Sequence, residues 1–340
     1  MASIEGNVFR QNHALDGAAI YGNYSELRVV QNLVQSNALY NVSPLPTYMG
    51  SGDGALTFLF APDLLLEANI VQGNAAVFGA GVCLRSCFAA RVQNNVIVNN
   101  LAYDFSGFGG GGEGGGLLCD VNVNATGNVV IANNTLVGNN APPTFLGHFG
   151  GGMAVTLYTN GLILANNIVA SNSSGIWRYP YLSYQPVLQH NCVNNSNANN
   201  YVNLSAGPTD IQADPQFVNR AVGDFHLLPS SPCINGGTNS VVSPGESDFD
   251  GQLRVAGGIV DIGADEFGSG LPFSLNLRLD AGQPRVGLRG ETNRVYVVEA
   301  SPNLRDWTAI STNQMTNAFF EITDPDVVAG NRFYRVFLKP

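Results

Sequence analysis

The stretch VQNNVIVNN at residues 92–100 returns as IANNTLVGN at 131–139 and as LANNIVASN at 164–172. Each copy places two asparagines five residues apart, with apolar residues before and between them. The unit occurs seven times, at Asn7–Asn12, Asn32–Asn37, Asn69–Asn74, Asn95–Asn100, Asn134–Asn139, Asn167–Asn172 and Asn191–Ser196. Successive copies start 24 to 39 residues apart, and the long steps hold insertions of about a dozen residues. Such a repeat predicts a solenoid.

Two columns of the repeat are wholly apolar. One lies three residues before the first asparagine and contains Ile4, Val29, Leu66, Val92, Ile131, Leu164 and Leu188. The other lies two residues after it and contains Phe9, Val34, Val71, Ile97, Leu136, Val169 and Val193. Because side chains alternate along a strand, columns five positions apart cannot share one straight face. The chain must therefore bend near the asparagine, which tolerates left-handed bends and whose stacked amides can form a ladder.

A third strand in the coil follows a glycine. It is predicted at Gly17–Tyr21, Gly54–Phe58, Gly81–Leu84, Gly116–Cys119 and Gly152–Val155. Three short strands and three bends in about 25 residues are typical of one turn of a parallel β-helix. Residues 3–200 thus resemble the right-handed parallel β-helix repeat family. We expect the ladder asparagines and these glycines to be architectural, with function located where the repeat is broken.

The composition excludes several classes of protein. Only 12% of the 340 residues are charged, the net charge is −10, and Lys339 is the single lysine. Nucleic-acid binding needs clustered basic residues and is therefore not expected. A hydrophobic fraction of 45% argues against disorder, yet no apolar run has the roughly 18 residues that span a bilayer. The sequence predicts an all-β protein without a transmembrane segment.

Three coils carry long insertions before the glycine-led strand, at Ala38–Asp53, Leu101–Gly115 and Asn140–Gly151. Because coils stack in register, we expect the insertions to emerge on one side of the solenoid. They contain aromatic residues that are candidates for substrate binding: Tyr40, Tyr48, Tyr103, Phe105, Phe108, Phe145 and Phe149. Aromatic rings beside carboxylates are typical of a sugar-binding groove. The alternative is that these loops bury their own aromatic residues in small clusters.

Catalytic candidates are few. β-Helix lyases use an acidic calcium site and a basic residue, and β-helix hydrolases use two closely placed carboxylates. The solenoid has no lysine, and the adjacent Asp pair and Gly-His-Gly of polygalacturonases are absent. The best remaining set is Asp104, Glu113 and His148 on two inserted loops, with Asp120 and Arg91 as additional candidates.

The pattern changes after residue 200. Residues 213–217 read ADPQF, 223–228 read GDFHLL, 231–237 read SPCINGG, and 248–266 run from DFDGQ to DIGADE. Over 210–267 this resembles bacterial surface β-helix proteins called choice-of-anchor Q domain proteins. The resemblance implies export and life at the cell surface. Within a β-helix assigned to residues 1–267, we expect about 205–267 to form irregular final coils and a cap that closes the end of the solenoid.

This segment is rich in carboxylates: Asp248, Asp250, Asp261, Asp265 and Glu266. Such a group is able to bind a hard cation, so a structural calcium ion is the one cofactor considered. The spacing does not fit an EF-hand, because the twelfth position from Asp248 is Ile259. The alternative is a network in which Arg254 pairs with the carboxylates.

Residues 268–340 form a separate predicted module. Alternating strands at 294–299 and 332–337 are separated by turns rich in Pro, Asn, Asp and Gly, which predicts a small β-sandwich. Residues 297–308 and the closing Arg-Phe-Tyr-Arg at 332–335 resemble C-terminal modules of large secreted proteins of Verrucomicrobia and Planctomycetes. Trp307 is expected in the core of this module.

The five cysteines do not define one disulfide framework. Cys119 and Cys192 lie in apolar columns and are predicted to be core thiols. Cys83 and Cys87 are close enough in sequence for a bridge, although geometry decides that. An odd number leaves at least one cysteine unpaired within the chain.

Two functional hypotheses follow. The first is a secreted or cell-surface β-helix protein that interacts with polysaccharide or another cell-surface glycan, or acts in adhesion, without catalysis. The second is a polysaccharide lyase or glycoside hydrolase with its site on the loops at 101–115 and 140–151. Because a complete repeat begins almost at Met1, without a signal peptide, we expect the chain to belong to a longer exported protein.

Overall fold

A computed structural model describes most of the chain. The described residues are 1–39, 52–103, 112–120, 128–142, 150–156, 161–182, 184–195, 199–256, 258–268, 273–280, 282–290, 292, 294–317, 319–325 and 331–339. Over these ranges the protein is almost entirely β-structure, with two short 3-10 helices at Arg220–Val222 and Asn239–Val241. Among the same residues, no helix has the length and apolarity needed to cross a bilayer.

The first part of the chain is a right-handed parallel β-helix, as the repeat predicts. Sheet A contains β1 (Ala2–Glu5), β5 (Leu27–Val30), β9 (Leu64–Glu67), β13 (Ala90–Gln93), β17 (Val129–Ala132), β20 (Leu162–Ala165) and β23 (Val187–Gln189). Sheet B contains β2 (Val8–Arg10), β6 (Leu33–Gln35), β10 (Ile70–Gln72), β14 (Val96–Val98), β18 (Thr135–Val137), β21 (Ile168–Ala170) and β24 (Cys192–Asn194).

Sheet D completes the coils, and a smaller parallel sheet, sheet C, contributes a strand to four of them. Sheet C is small and contains β3 (His13–Ala14), β7 (Ala38–Leu39), β11 (Ala75–Ala76) and β15 (Leu101–Ala102). Sheet D is built from the glycine-led strands: β4 (Ile20–Asn23), β8 (Leu56–Leu59), β12 (Val82–Arg85), β16 (Leu117–Asp120), β19 (Met153–Val155), β22 (Ile176–Arg178) and β25 (Tyr201–Val202). Along the chain, each inserted loop therefore directly precedes a strand of sheet D.

The core of the solenoid is formed by the two predicted apolar columns. Val29, Val92 and Ile131 of sheet A and Val34 and Ile97 of sheet B are fully buried in one cluster. The inward residues of sheet D complete this cluster: Leu56, Phe58, Val82, Leu84, Leu117, Cys119, Met153, Val155 and Ile176. Burial of apolar area in successive coils is the main stabilising contribution to such a stack.

The bend between sheets A and B lies one residue before the ladder asparagine. The residues with left-handed φ angles there are Gly6, Gln31, Ala68, Asn94, Asn133, Asn166 and His190. The asparagine that follows each of them forms the ladder. For example, Nδ2 of Asn134 donates to Oδ1 of Asn167 at 3.0 Å and to the carbonyl oxygens of Val92 and Ala132.

The second asparagine of each repeat forms a second ladder, which differs from the repeat spacing at its last position. Nδ2 of Asn172 donates to Oδ1 of Asn195 at 3.1 Å, so Asn195 continues the ladder. The repeat spacing predicts Ser196 at this place, and that residue lies outside the described residues. The last coil is thus one residue shorter than the repeat spacing implies.

The glycines that precede sheet D are required by close contact between coils. A Cβ atom on Gly116 would lie 2.6 Å from the carbonyl oxygen of Gly152, and one on Gly81 would lie 2.6 Å from that of Gly116. Any larger residue would push neighbouring backbones apart. The architectural role expected for these glycines agrees with this geometry.

The segment expected to cap the solenoid closes the last coil through Asp210 and Ile211, and from Phe217 on it covers the side of the solenoid. It forms an antiparallel hairpin of β26 (Phe217–Asn219) and β27 (Asp224–Leu227), and then runs without regular strands to residue 268. Phe225, Phe249 and Ala264 pack on Val96, Val98 and Val137, which are outward residues of sheet B. Apolar outward residues on sheet B explain this placement, because they need a cover that a cap at the end could not supply.

The C-terminal residues form two three-stranded antiparallel sheets. Sheet E orders β28 (Phe273–Asp280), β29 (Gln283–Gly290) and β32 (Phe319–Thr323), and sheet F orders β31 (Thr308–Gln314), β30 (Val295–Ser301) and β33 (Phe333–Leu338). They share a core that includes Leu288, Tyr296 and Met315. Trp307 was expected in this core but lies outside it. Its ring is half-buried, and the guanidinium carbon of Arg335 lies 4.3 Å from the ring centre.

All five cysteines lie within the described residues and are reduced and buried. Cys83 and Cys87, which the sequence left open as a pair, are therefore not bridged. Burial raises the pKa of Cys87 to about 11, so its thiol is protonated at neutral pH. The thiols of this protein act as small apolar side chains.

Candidate functional site

Most of the site residues predicted from sequence lie outside the described residues. These are Asp104 and His148 among the catalytic candidates, and Tyr40, Tyr48, Phe105, Phe108, Phe145 and Phe149 among the aromatic candidates. Tyr103 and Glu113 are described and lie at the two ends of the same insertion. Both donate their backbone N–H to the neighbouring coil, to the carbonyl oxygens of Ala76 and Val77 respectively. The base of the insertion is thus tied to the solenoid.

An arginine-centred cluster lies on the outer side of sheet D next to this insertion. Arg85 ends β12, and its Nη2 lies 2.7 Å from Oδ1 of Asp53 while its Nη1 lies 3.1 Å from Oδ2 of Asp120. The guanidinium carbon also lies 5.2 Å from the centre of the Phe78 ring. Asp53 and Glu113 flank Phe78 in neighbouring coils, since both pair with it through isolated parallel bridges. Three consecutive coils therefore contribute to one cluster.

The carboxylates of this cluster have perturbed acidity. Burial raises the pKa of Glu113 above its ordinary value, and the nearby guanidinium of Arg85 offsets only part of that effect. Burial likewise raises the pKa of Asp120, although Arg85 again favours its charged form. Carboxyl groups with raised pKa beside a fixed positive charge are the kind of group that serves as a general acid.

Exposed aromatic rings lie near the same outer surface of sheet D. Tyr24, which follows β4, is 66% exposed and stacks on Phe60, which follows β8, with ring centres 4.8 Å apart. At the far end of the sheet, Tyr179 and Tyr181 follow β22 and lie edge to face at 5.6 Å. Tyr181 is 85% exposed. We call Tyr24, Phe60, Arg85, Asp120, Tyr179 and Tyr181 the sheet D surface.

Arg91 does not lie beside Glu113 and Asp120, the catalytic candidates with which the sequence analysis grouped it. It lies on β13 in sheet A, where it contacts the side chain of Glu246 at 3.4 Å and the carbonyl oxygen of Val241. Asp120 does join the sheet D surface, but its basic partner there is Arg85. Arg91 instead attaches the segment after β27 to the solenoid.

The five carboxylates considered for calcium have different partners in the structure. Three of them bind backbone N–H groups with both oxygens. Asp261 accepts from Asn235 and Phe267, Glu266 accepts from Ala256 and Asp261, and Asp248 accepts from Asp250, Gln252 and Glu266. These groups stabilise the irregular segment much as caps stabilise a helix end. Calcium binding by this set stays a prediction.

Arg254 is fully buried in the same segment. Its Nη2 donates to the carbonyl oxygens of Asp261 and Gly263, while Nε and Nη1 have no hydrogen-bond partner. Burial lowers the pKa of its guanidinium group, and the charges of Glu266 and Asp248 offset only part of that shift. The predicted Arg254–carboxylate network is therefore mainly a bond between the guanidinium and backbone carbonyls.

Asp250 and Asp265 instead surround a histidine that sequence reasoning missed. His226 in β27 places Nδ1 2.6 Å from Oδ1 of Asp224 and Nε2 2.7 Å from Oδ2 of Asp250. Ligand atoms of His226, Asp250 and Asp265 all lie within 4.8 Å of one another. Oδ2 of Asp265 accepts the N–H of Leu227 at 3.1 Å. Three carboxylates thus enclose one imidazole.

The electrostatics of this group favour charge. Burial alone lowers the pKa of His226, but the charges of Asp250 and Asp265 and the hydrogen bonds that the imidazole donates to Asp224 and Asp250 outweigh it, so the pKa is raised. Burial raises the pKa of Asp265 to about 6, although His226 opposes that shift. In the absence of another cation, the imidazole is therefore protonated at neutral pH.

The missed residues had a signal in the sequence. Asp224 and His226 are two apart on a strand, so they share one face, and the intervening Phe225 points into an apolar cluster. Arg85 ends a glycine-led strand on its outward side. Tyr24 and Phe60 come directly after two such strands. Strand position thus indicates which of these side chains share a face, but it does not indicate their partners in other segments.

A family described as disaggregatase related matches residues 149–247. The matched residues run from β19 through β27, that is, from the last coils of the solenoid into the segment on sheet B. The chain is similar to that family there. The match covers less than a third of the chain and supports the β-helix fold. A comparison with curated proteins finds no match.

Proposed function

We propose that this protein is a secreted or cell-surface β-helix protein that binds a polysaccharide along the sheet D surface. The observation that carries the proposal is the arrangement of exposed tyrosines at both ends of the sheet with the Arg85–Asp120 pair between them. Flat rings cover the C–H faces of sugars, while guanidinium and carboxylate groups bind hydroxyl groups.

The dimensions of the surface suit a chain of several sugars. Tyr24 follows the first strand of sheet D and Tyr179 follows the sixth. Parallel strands lie about 4.8 Å apart, so the two rings are separated by about 24 Å along the solenoid axis. Arg178 fixes the loop that carries the far tyrosines, because its Nη1 donates to the carbonyl oxygens of Leu182 and Tyr184.

The inserted loops belong to this proposal as further sugar contacts. Glu113 and Tyr103 mark where one of them meets the solenoid beside Arg85. The aromatic residues Phe105, Phe108 and Phe149 of the loops are proposed to extend the binding surface. Export to the cell surface is proposed from the resemblance of residues 210–267 described above.

Binding is tested with a panel of neutral and uronate polysaccharides by affinity electrophoresis and calorimetry. The double variant Tyr24→Ala/Tyr181→Ala should weaken binding at least tenfold, and Arg85→Gln should weaken it as well. Phe337→Ala is the matched control, since it removes a ring that is 39% exposed on sheet F. Equal binding by the double variant and the wild-type protein would falsify the proposed surface.

A second candidate function is polysaccharide cleavage. It is favoured by the raised pKa of Glu113 and Asp120, because one protonated carboxyl group beside an ionised one is what acid-assisted glycosidic cleavage requires. Asp104 and His148 remain candidates on the neighbouring loops. Unsaturated products in the ultraviolet or new reducing ends, abolished by Glu113→Gln or Asp104→Ala, would favour an enzyme over a binding protein.

A further inference from the structure

The group around His226 has a feature that its internal hydrogen bonds do not explain. The side chain of Asp250 is fully buried, and its Oδ2 contacts Nε2 of His226. Its other oxygen, Oδ1, is also buried and has no hydrogen-bond partner. A buried carboxylate oxygen without a partner loses its hydration without compensation, so such atoms usually have a bound ion or water.

The basic residues nearby do not bond to this oxygen. Nη1 of Arg289 donates to the carbonyl oxygens of Phe249 at 2.9 Å and Ala68 at 3.3 Å. Arg254 donates to the carbonyl oxygens of Asp261 and Gly263. The guanidinium groups thus connect backbone segments and act on Asp250 and Asp265 only through space. Among the described residues, the basic side chain in direct contact with Asp224 and Asp250 is that of His226.

The chemistry of the three side chains matches a metal site. Imidazole nitrogen and carboxylate oxygens are ligands of zinc and related divalent ions, whereas calcium prefers a set made of oxygens alone. Asp224 contacts Nδ1 of the same imidazole at 2.6 Å. This is the carboxylate–histidine arrangement that orients metal-binding histidines and fixes the tautomer with Nε2 free to bind the ion.

We propose that His226, Asp250 and Asp265 bind a divalent transition-metal ion of the zinc class, and that Asp224 is the positioning residue for His226. Nε2 of His226, one oxygen of the Asp250 carboxylate and one oxygen of Asp265 supply three ligand atoms, and a solvent molecule supplies the fourth. On binding, the ion replaces the proton of Nε2, and that proton is released to the solvent. The site shares two residues with the calcium set expected from the sequence and adds the histidine.

The geometry requires only a small adjustment. Tetrahedral zinc with bonds of about 2.0–2.1 Å holds its ligand atoms about 3.4 Å apart. Nε2 of His226 and Oδ2 of Asp250 are 2.7 Å apart, so this pair would separate by about 0.7 Å. Asp250 lies in a turn of the irregular segment and not in a strand, so this movement would break no hydrogen bond of a β-sheet.

The proposed site joins three parts of the molecule. His226 belongs to the hairpin on sheet B, and Asp250 and Asp265 belong to the irregular segment after it. Asp224 extends the connection to the C-terminal sheets, because its Oδ2 accepts both the N–H and the hydroxyl of Thr292. An ion here would fasten the cover of sheet B in place.

The test starts with the full chain stripped of metal by a chelator and then titrated with Zn²⁺ or Ca²⁺. We expect about one zinc ion per chain by elemental analysis and a higher melting temperature with zinc, but no such response to calcium. Cobalt substituted into the wild-type protein should give the visible absorption of a four-coordinate ion. Asp224→Asn should weaken zinc binding about 10–100-fold.

Variants separate the ligands from their neighbours. Asp250→Asn and Asp265→Asn should each remove the zinc-dependent rise in melting temperature. Asp261→Asn is the matched control, since its carboxylate belongs to the same segment but accepts only backbone N–H groups of Asn235 and Phe267. If the wild-type protein binds no zinc, or if calcium alone raises its melting temperature, the proposal is wrong. The spectrum of the cobalt-loaded wild-type protein decides the matter even if the ligand variants fail to fold.

Discussion

The side-chain nitrogen of Asn191 lies 3.0 Å from Oδ1 of Asp210, so a carboxylate stands where the next ladder asparagine would be. The backbone N–H of Asn191 donates to the same oxygen at 2.8 Å. The other oxygen of Asp210 accepts from the hydroxyl of Tyr201 and the N–H of Gly207, each at 2.9 Å. One carboxylate thus ends the ladder and also holds the turn that follows it.

The first prediction concerns this ladder end. Asp210→Ala removes the acceptor of four donors, and we expect a loss of about 3 kcal/mol in the free energy of unfolding because some of these donors are buried. Asp210→Asn keeps one acceptor oxygen for Asn191 and should lose less than half of that. Urea unfolding followed by circular dichroism measures both. Equal losses in the two variants would show that the ladder contact does not matter.

The second prediction concerns an internal ladder position. Asn134→Ala removes donors to Val92, Ala132 and Asn167 within a fully buried setting, so we expect a loss of about 3 kcal/mol or more. Asn12→Ala is the control, since Asn12 is exposed and its side-chain amide donates one hydrogen bond, to Oδ1 of Asn37. Its loss should stay below about 1 kcal/mol. Comparable losses at both positions would contradict the role assigned to burial.

The third prediction concerns the attachment of the C-terminal sheets. The hydroxyl of Thr292 donates to Oδ2 of Asp224 at 2.7 Å, and both residues are buried. Thr292→Val should lower the melting temperature, with a cost of about 1.5–3 kcal/mol for losing a hydrogen bond to a charged group. Thr308→Val, at an exposed position of β31, is the matched control and should have little effect. A similar decrease in both variants would argue against the contact.

The fourth prediction concerns pH. Burial raises the pKa of Glu113 above 4.5, so its contribution to stability is complete below pH 4.5 and is lost as the pH rises through the folded-state pKa. Glu113→Gln removes this titration, and the variant should therefore gain stability relative to the wild-type protein between pH 4 and pH 7. Melting temperatures over that range provide the measurement. Glu26→Gln, which removes an exposed carboxylate, controls for the change in net charge.

The solenoid was predictable because its signals are local and repeated. Each coil gives an independent reading of which residues point inward, so the columns that contain Val92 and Ile97 agree with the structure. The bend was predicted near the asparagine, whereas the left-handed residue is the one before it. That position accepts Gly, Ala, Gln, His or Asn, and it therefore has no fixed residue type to recognise.

The rest was less predictable because it depends on contacts between distant residues. Asp210 and Ile211 do lie at the end of the solenoid, where residues 205–267 are predicted. The rest of the segment lies on sheet B, because Val96 and Val98 form an apolar outer face that the sequence does not reveal. The carboxylates of this segment were recognised, but His226 was not assigned to them. It joins Asp250 only because the hairpin and the irregular segment lie on the same sheet.

The asparagine ladder also gives the solenoid an electrical polarity. From Asn32 to Asn191, every ladder amide donates toward the next coil and accepts from the previous one, so the amide dipoles point the same way. Aligned dipoles add, as they do in an α-helix, and leave partial positive charge at the donating end. Asp210 supplies a negative charge at that end, so it balances the field of the whole ladder as well as completing its hydrogen bonds.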